Sequence, residues 1–450
     1  MRRHVIIGRF GPDDKTRVPK ARDEVASTLQ MVTGKHLNHG VGHALTDLNA
    51  LHLTPSEIGA DMLVVAAHVH AADTRISRST ESQDAWTREI RLVIPVSDPA
   101  RWTAAAPILV RALNFRDRRQ MGCRIPQTSQ GVCDAGSRRR TPPLIPAPFD
   151  VVSLFSGGLD SLIGAIDSLN TGETPLLVSH AGEGIVSRSQ DQCFEGLRAA
   201  YKSSAFNRLR VWMTFEAGLV EDVESEGTTR GRSFLFFSLG VAAGTALGSD
   251  FVLKVPENGL IALNVPLDQL RLGALSTRTT HPFYMARWNE LLRALSVGGK
   301  VENSYWDKTK GEMVAQCTNP HLLKLLAPLS LSCSSPTKGR WTKKPPGHCG
   351  YCLPCLIRRA SLQGKDSTVY GVPDLKASIL DTKQAEGQQV RSFHIAIARL
   401  SKRPELAKLL IHKPGPLFDD PSRHDDLADV YRRGLEEVGR LLKGVRAEPS

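Results

Sequence analysis

Two short stretches of the 450-residue chain hold residue types whose spacing suits chemistry. The first is Phe155-Ser156-Gly157-Gly158-Leu159-Asp160-Ser161. A glycine turn between a strand and a helix offers backbone N–H groups and the positive end of the helix to an anion, which suits phosphate or pyrophosphate. Gly157 and Gly158 let the backbone approach that anion, and Ser156 and Ser161 add hydroxyl donors. Asp160 would repel phosphate unless it holds a Mg²⁺ ion or caps the helix. No Gly-Lys in the chain is followed by Ser or Thr, so this is not a Walker A loop, and it does not fit GxGxxG. Read alone, the stretch also admits a turn whose glycines serve geometry only.

The second stretch is Cys349-x-x-Cys352-x-x-Cys355, with Cys333 upstream. Four soft ligands with tight turns between them suit a tetrahedral zinc site, and Gly350 and Pro354 are suitable turn residues. Lys338, Arg340, Lys343, Lys344, Arg358 and Arg359 surround the cluster without an acidic residue between 330 and 360, which offsets thiolate charge. An iron–sulfur cluster and a redox dithiol remain open from the same ligands. Cys123, Cys133, Cys193 and Cys317 are scattered and read as inert.

The elements that must position these groups alternate between strand and helix. Val151–Phe155, Leu176–Val178, Leu209–Met213 and Phe251–Val255 read as strands. Leu159–Leu169, Cys193–Ala200 and Ser233–Leu247 read as helices. Such alternation predicts crossover connections and a parallel sheet covered on both faces. Helical patterns recur at 283–295 and 319–327, and the tail after about 370 is helical and amphipathic. In the N-terminal zone Met62–Val69 and Ile90–Val96 read as buried strands, with the charged stretch Asp73–Glu89 as a loop or hairpin tip. Residues 115–146 hold seven arginines and end Pro-rich, which reads as a linker or a basic loop for phosphate contacts. The expected organisation is an α+β domain over 1–114, a basic linker over 115–148, an α/β nucleotide domain over 149–330, a Cys₄ segment over 331–365 and a helical region over 366–450.

Hydrophobic residues make up 41% and charged residues 23%, a globular composition. No apolar run reaches membrane-span length, and the start, MRRHVIIGRFGPDD, is a poor signal peptide. No membrane association and a cytoplasmic location are expected. The net charge of +12 favours anionic partners, nucleotides or nucleic acid among them.

The Ser-Gly-Gly-x-Asp-Ser loop resembles that of the PP-loop ATP pyrophosphatases, the adenine-nucleotide α-hydrolase-like (HUP) class. Together with the late cysteines, the chain is similar to the 7-cyano-7-deazaguanine synthase (QueC-like) group. Gly231-Arg232-Ser233, Thr309-Lys310-Gly311-Glu312-Met313, Ser332-Cys333 and Cys349-Gly350-x-Cys352-x-x-Cys355-x-x-Arg358 follow in that group's order, over about 150–365. The chain departs from it at Ser233, where the group has Asn, and near Glu257-Asn258-Gly259, where the group's Tyr-Pro-Asp-Cys-Arg stretch has no counterpart. With its long extensions at both ends, the layout is more similar to the QueC-like proteins of bacterial anti-phage defence (the Qat type).

The resemblance implies a ligase that uses ATP and Mg²⁺ to adenylate a carboxylate, in this group 7-carboxy-7-deazaguanine, and releases pyrophosphate. It implies that Phe155–Ser161 hold the leaving pyrophosphate, with Asp160 near Mg²⁺. Arg232 and Lys310 become cationic candidates for phosphate charge, with surface positions as the alternative. The acyl-adenylate is then attacked by an amine, supplied as ammonia or by a co-encoded protein partner. A nitrile synthase, a tRNA or DNA modification enzyme and a nucleotide sensor without turnover are the other readings.

Overall fold

The computed structural model describes residues 2–449 except 12, 35, 83–86, 118–119, 125–146, 183, 228–230, 249, 269–277, 338–344 and 365, and the side chains of 116, 117 and 120–124. The arginine-rich 125–146 and the basic residues Lys338, Arg340, Lys343 and Lys344 therefore lie outside the described residues.

The N-terminal zone is built on β1 (Arg3–Arg9), β2 (Glu24–Gln30), β3 (Glu89–Val93) and β4 (Gln120–Arg124), in the order β2-β1-β3-β4. Every pair in this sheet is parallel, so the zone is α/β in construction rather than the expected α+β. β4 pairs with β3 along its length, so the start of the expected linker belongs to this sheet. α1 (Val41–Ala50), α2 (Glu57–Arg75) and α3 (Pro99–Asp117) connect its strands.

The run Met62–Val69, expected as a strand, lies inside α2. Ser56 caps this helix by accepting from Gly59 N, Glu57 complements its dipole, and neither Gly nor Pro interrupts it after the first turn. An apolar run of that length is ambiguous from periodicity, and α2 is buried all round because it is sandwiched between layers. Nor do the described residues of Asp73–Glu89 form a hairpin tip: Asp73–Arg75 end α2 and Arg78–Glu81 form a short helix. Asp73 and Arg88 are fully buried, and Arg78 ion-pairs with Asp73 at 2.8 Å.

The second sheet contains β5 (Val151–Leu154), β6 (Pro175–His180), β7 (Asn207–Val211), β8 (Val252–Lys254) and β9 (Lys300–Glu302). All its pairs are parallel and the order is β9-β8-β5-β6-β7. The chain leaves β5 in one direction, to β6 and β7, then returns to the other side of β5 for β8 and β9. The strand order thus reverses at β5, and ligands in open α/β sheets bind outside the carboxyl ends of the strands at such a point.

α4 (Leu159–Asn170) and α5 (Gly184–Ala200) cover one face with α8 (Lys310–Gln316) and α9 (Pro320–Leu326). α6 (Arg232–Thr245) covers the other and packs on α2, while α7 (Pro282–Ala294) packs on α3. The two sheets therefore share one continuous core. A further core joins α10 (Leu353–Leu362) to α11 (Ala385–Lys402), α12 (Leu406–Leu410) and α13 (His424–Leu442), in the expected helical tail. Among the described residues no helix is long and apolar enough to cross a membrane.

Candidate functional site

The segment Phe155–Ser161 joins β5 to α4 at the reversal point. Phe155 and Leu159 contribute backbone only, since both side chains are fully buried in the core beneath. Gly157 has φ +80, and a Cβ there would meet Gln190 Cγ at 2.9 Å. Gly158 has an ordinary φ, and its nearest neighbour would be Ser156 Oγ at 3.3 Å, so glycine is required at Gly157 more than at Gly158. Ser161 donates to Gly158 O at 3.0 Å and Gly158 N donates to Ser156 Oγ at 3.3 Å, so both hydroxyls shape the turn.

Asp160 is the centre of the site. Lys310 Nζ lies 2.6 Å from its Oδ1, with the two side chains only 6% and 11% exposed, so the pair is shielded from water. Its Oδ2 accepts from Asn258 Nδ2 at 2.7 Å and from Asn258 N at 3.3 Å. The repulsion that Asp160 would exert on a phosphate is therefore offset by Lys310 within the protein. For Asp160 to hold a Mg²⁺ ion at Oδ1, Lys310 must move away. Lys310 is not a surface residue. It begins α8, behind a capping box of Thr309 and Glu312. Glu437 of α13 accepts from the Thr309 hydroxyl and from Gly311 N at 3.1 Å, gripping the chain on both sides of Lys310.

Arg232 reaches the same end of the sheet from the opposite face. Its guanidinium donates to His180 O at 3.3 Å, at the end of β6, and lies over the Phe236 ring at 5.2 Å. Gln190 links that carbonyl to the loop, with Nε2 3.3 Å from His180 O and 3.4 Å from Ser156 O. Gly231 N donates to the buried Asp73 Oδ2, so α2 of the N-terminal sheet anchors the residue before Arg232. Burial, with Arg232 and His70 beside it, lowers the His180 pKa well below its ordinary value, so its imidazole is neutral.

The four cysteines converge. Cys333 and Cys352 Sγ are 3.9 Å apart, Cys349 and Cys355 Sγ 4.0 Å, and all four lie within 4.8 Å of one another. A tetrahedron with ~2.3 Å metal–sulfur arms has edges of about 3.8 Å, so the group is close enough to hold a metal ion. Gly350 permits the turn through φ +92, where a Cβ would meet Val372 O at 2.7 Å. Arg359 donates to Gly350 O, Val372 O and Pro373 O and closes that turn from outside.

The cluster is joined to the loop. Ser332, beside Cys333, accepts at its Oγ from Leu159 N at 3.4 Å, and Leu331 N donates to Gly157 O at 2.8 Å. Arg358 is fully buried and donates to Ser330 Oγ at 2.8 Å, to Thr368 Oγ1 at 3.0 Å and to Ala327 O. Its role is to brace the 327–332 chain rather than only to balance thiolate charge.

Sequence reading assigned no role to Asn258, Glu257, Gln190, Asp73 or Glu437. The signal for the first two was their position directly after the fourth strand of the alternating zone, on the far side of the reversal. Asp73 and Glu437 come from segments that carry no motif, and only packing brings them in. No family model, no curated protein and no solved structure matches the chain.

Proposed function

We propose that the chain is an ATP-dependent adenylating ligase of the PP-loop, QueC-like type. It activates a carboxylate, with 7-carboxy-7-deazaguanine as the candidate, releases pyrophosphate and passes the acyl group to an amine. The observation that carries this reading is the glycine turn at the strand-order reversal, with Lys310 buried against Asp160 beside it. Backbone donors and a helix N-terminus, with Lys310 neutralising the Asp160 carboxylate beside them, suit the charge of a leaving pyrophosphate, where positioning and electrostatics do most of the work. Arg232 supports it as a second cation at the same end of the sheet.

On this reading Phe155–Ser161 hold the pyrophosphate and Mg²⁺ accompanies ATP. Zinc is the ion of Cys333, Cys349, Cys352 and Cys355 and has a structural role, since all four ligand positions are taken by protein. The protein works in the cytoplasm as part of an anti-phage system, with a co-encoded protein as the source of the amine and residues 1–148 helping to dock it. Pyrophosphate release from ATP in the presence of 7-carboxy-7-deazaguanine tests the reading. Release that depends on the acid supports it, and its absence, with ATP bound, leaves a sensor without turnover.

A further inference from the structure

Glu257 follows β8 across Val255-Pro256, directly before Asn258, the residue that holds Asp160. Its backbone is clamped from two directions, N donating to Asn303 Oδ1 at 3.3 Å and O accepting from Asn303 Nδ2 at 2.7 Å. Its Oε2 accepts the Thr280 hydroxyl, and among the described residues this is the hydrogen bond its carboxylate takes. Thr280 and Asn303 are also walls of a cavity of about 420 Å³ that extends past Asn289 and Trp306 to Asp420 and Arg423. Glu257 does not itself line this cavity; it sits directly behind two of its wall residues, Thr280 and Asn303, and directly before Asn258, which holds Asp160, so its carboxyl adjoins both the loop and a space of small-molecule size.

The two half-reactions proposed above differ in what they ask of a base. A substrate carboxylate is already ionised and attacks the α-phosphorus unaided. An amine that attacks the acyl-adenylate becomes cationic as the C–N bond forms and must lose a proton. We infer that Glu257 is the base that takes this proton through Oε1, and that the adjoining cavity admits the amine. The step balances: the neutral amine forms the C–N bond, the C–O bond to AMP breaks with its electron pair on the phosphate oxygen, and the amine proton passes to the Glu257 carboxylate. Burial, with Asp160 nearby, pushes the Glu257 pKa up to about 7 against the Thr280 bond and Lys310, which is where a base working near neutral pH is most effective. The charged groups that face it are Asp160 and Lys310.

This inference rests on the adenylation reading, and one experiment separates the two. The full chain is incubated with ATP, Mg²⁺, 7-carboxy-7-deazaguanine and ammonia, and both pyrophosphate and amide are measured from pH 5.5 to 9. Plotted against unprotonated ammonia, wild-type amide formation is expected to rise with pH and level off above about 7. Glu257→Gln, which keeps the Thr280 bond, is expected to slow amide formation ~10²–10³-fold and to lose that rise. Thr280→Val, which removes the donor that favours the ionised form, is expected to move the midpoint upward. A wild-type rate and profile in Glu257→Gln, or an unmoved midpoint in Thr280→Val, overturns the role of Glu257. Absence of pyrophosphate from the wild type overturns the adenylation reading itself.

Discussion

Asn258 donates its side-chain amide to Asp160 at 2.7 Å while its Oδ1 accepts from Ile261 N and caps the short helix Gly259–Leu263. One residue thus ties the loop after β8 to the loop after β5, across the place where the strand order reverses. With Lys310 on the other oxygen, the Asp160 carboxylate is held from both sides.

That arrangement predicts an asymmetric response to mutation. Lys310→Met leaves a buried carboxylate without its cation, which costs about 3–5 kcal/mol in comparable pairs. The expected result is a clear loss of stability together with a >100-fold loss of pyrophosphate release. Adding Asp160→Asn removes the stranded charge, so the double variant should regain stability and remain inactive. Chemical denaturation and a pyrophosphate assay on the three variants check this. A double variant no more stable than Lys310→Met would mean the pair is not what holds this corner.

The two loop glycines should separate. Gly157→Ala forces a side chain into positive φ against Gln190, whereas Gly158→Ala meets Ser156 Oγ at 3.3 Å and Leu331 O at 3.5 Å, contacts that need little adjustment. Gly157→Ala is expected to lose ATP affinity by ~10-fold or more with a lowered melting temperature. Gly158→Ala should melt like the wild type, so any loss of ATP binding there reports on the anion's approach. Calorimetric titration of ATP into both variants distinguishes fold from binding.

Much of this site was legible in the sequence, for a physical reason. The turn at Ser156–Ser161 and the convergence of the cysteines depend on local chain geometry, so spacing alone marks both. The parallel sheet was legible because its strands are buried on both faces and read as continuous apolar runs. The same rule misread α2, since Met62–Val69 is equally apolar as a helix between two layers. β9, only Lys300–Glu302, is too short and too charged to show a pattern. Asp73, Asn258 and Glu437 act over 158, 98 and 126 residues of separation respectively, and no local signal marks such partners.

Metal content is the most direct check on the cysteines. One zinc per chain is expected, lost in Cys352→Ser, with new protease sensitivity near 330–360. Because Ser332 accepts from Leu159 N and Leu331 donates to Gly157 O, the loss should also weaken ATP binding without any contact between metal and nucleotide. Elemental analysis that finds iron and labile sulfide would replace zinc in this account. A zinc-free variant with unchanged ATP affinity would separate the two sites.

Acid should destabilise the fold well above the carboxylate range. Burial lowers His68 and His70 to about 4 and His281 to about 3, and lowers His180 well below its ordinary value. The unfolded chain takes up these protons below about pH 6.5 while the folded chain does not, so stability is lost as pH falls from 6.5 toward 4. Asp61, Glu257 and Glu437 oppose them: burial raises Asp61 to about 6, Glu257 to about 7 and Glu437 above its ordinary value, so the native state holds their protons and gains stability as pH falls through those values. Burial also lowers His4, His39 and His394, so these seven imidazoles against three carboxyls leave a net loss. His281 offers a clean variant, because its Nδ1 accepts from Phe283 N at 3.2 Å and caps α7, a bond that Asn can also make. His281→Asn is expected to remove about 2 kcal/mol of the loss at pH 5 relative to pH 7.5. Denaturation curves that match the wild type at both pH values would show that this ring does not titrate on unfolding.

The C-terminal helix makes the last prediction, because an appended tail and a working part of the site respond differently to the same change. Glu437 is 8% exposed and grips the Thr309 hydroxyl and Gly311 N, so Lys310 leaves the helix from a fixed point. Its neighbour Arg433 reaches Glu312 and Asp307 O, which closes the same turn from outside. Glu437→Ala frees two buried donors, at ~1–3 kcal/mol each at most, and lets the start of α8 shift. Because the effect reaches the nucleotide only through Lys310, kcat for pyrophosphate release should fall ~10-fold or more while the KM for ATP changes less. The control is Lys408→Ala, which breaks a pair with Asp425 on the same helix whose side chains are 65% and 77% exposed. Exposed pairs of that kind contribute little, so this variant should match the wild type in melting and turnover. Equal turnover in both variants would reduce the C-terminal region to a packing surface. A selective loss in Glu437→Ala would make residues 366–450 part of what places Lys310 against Asp160.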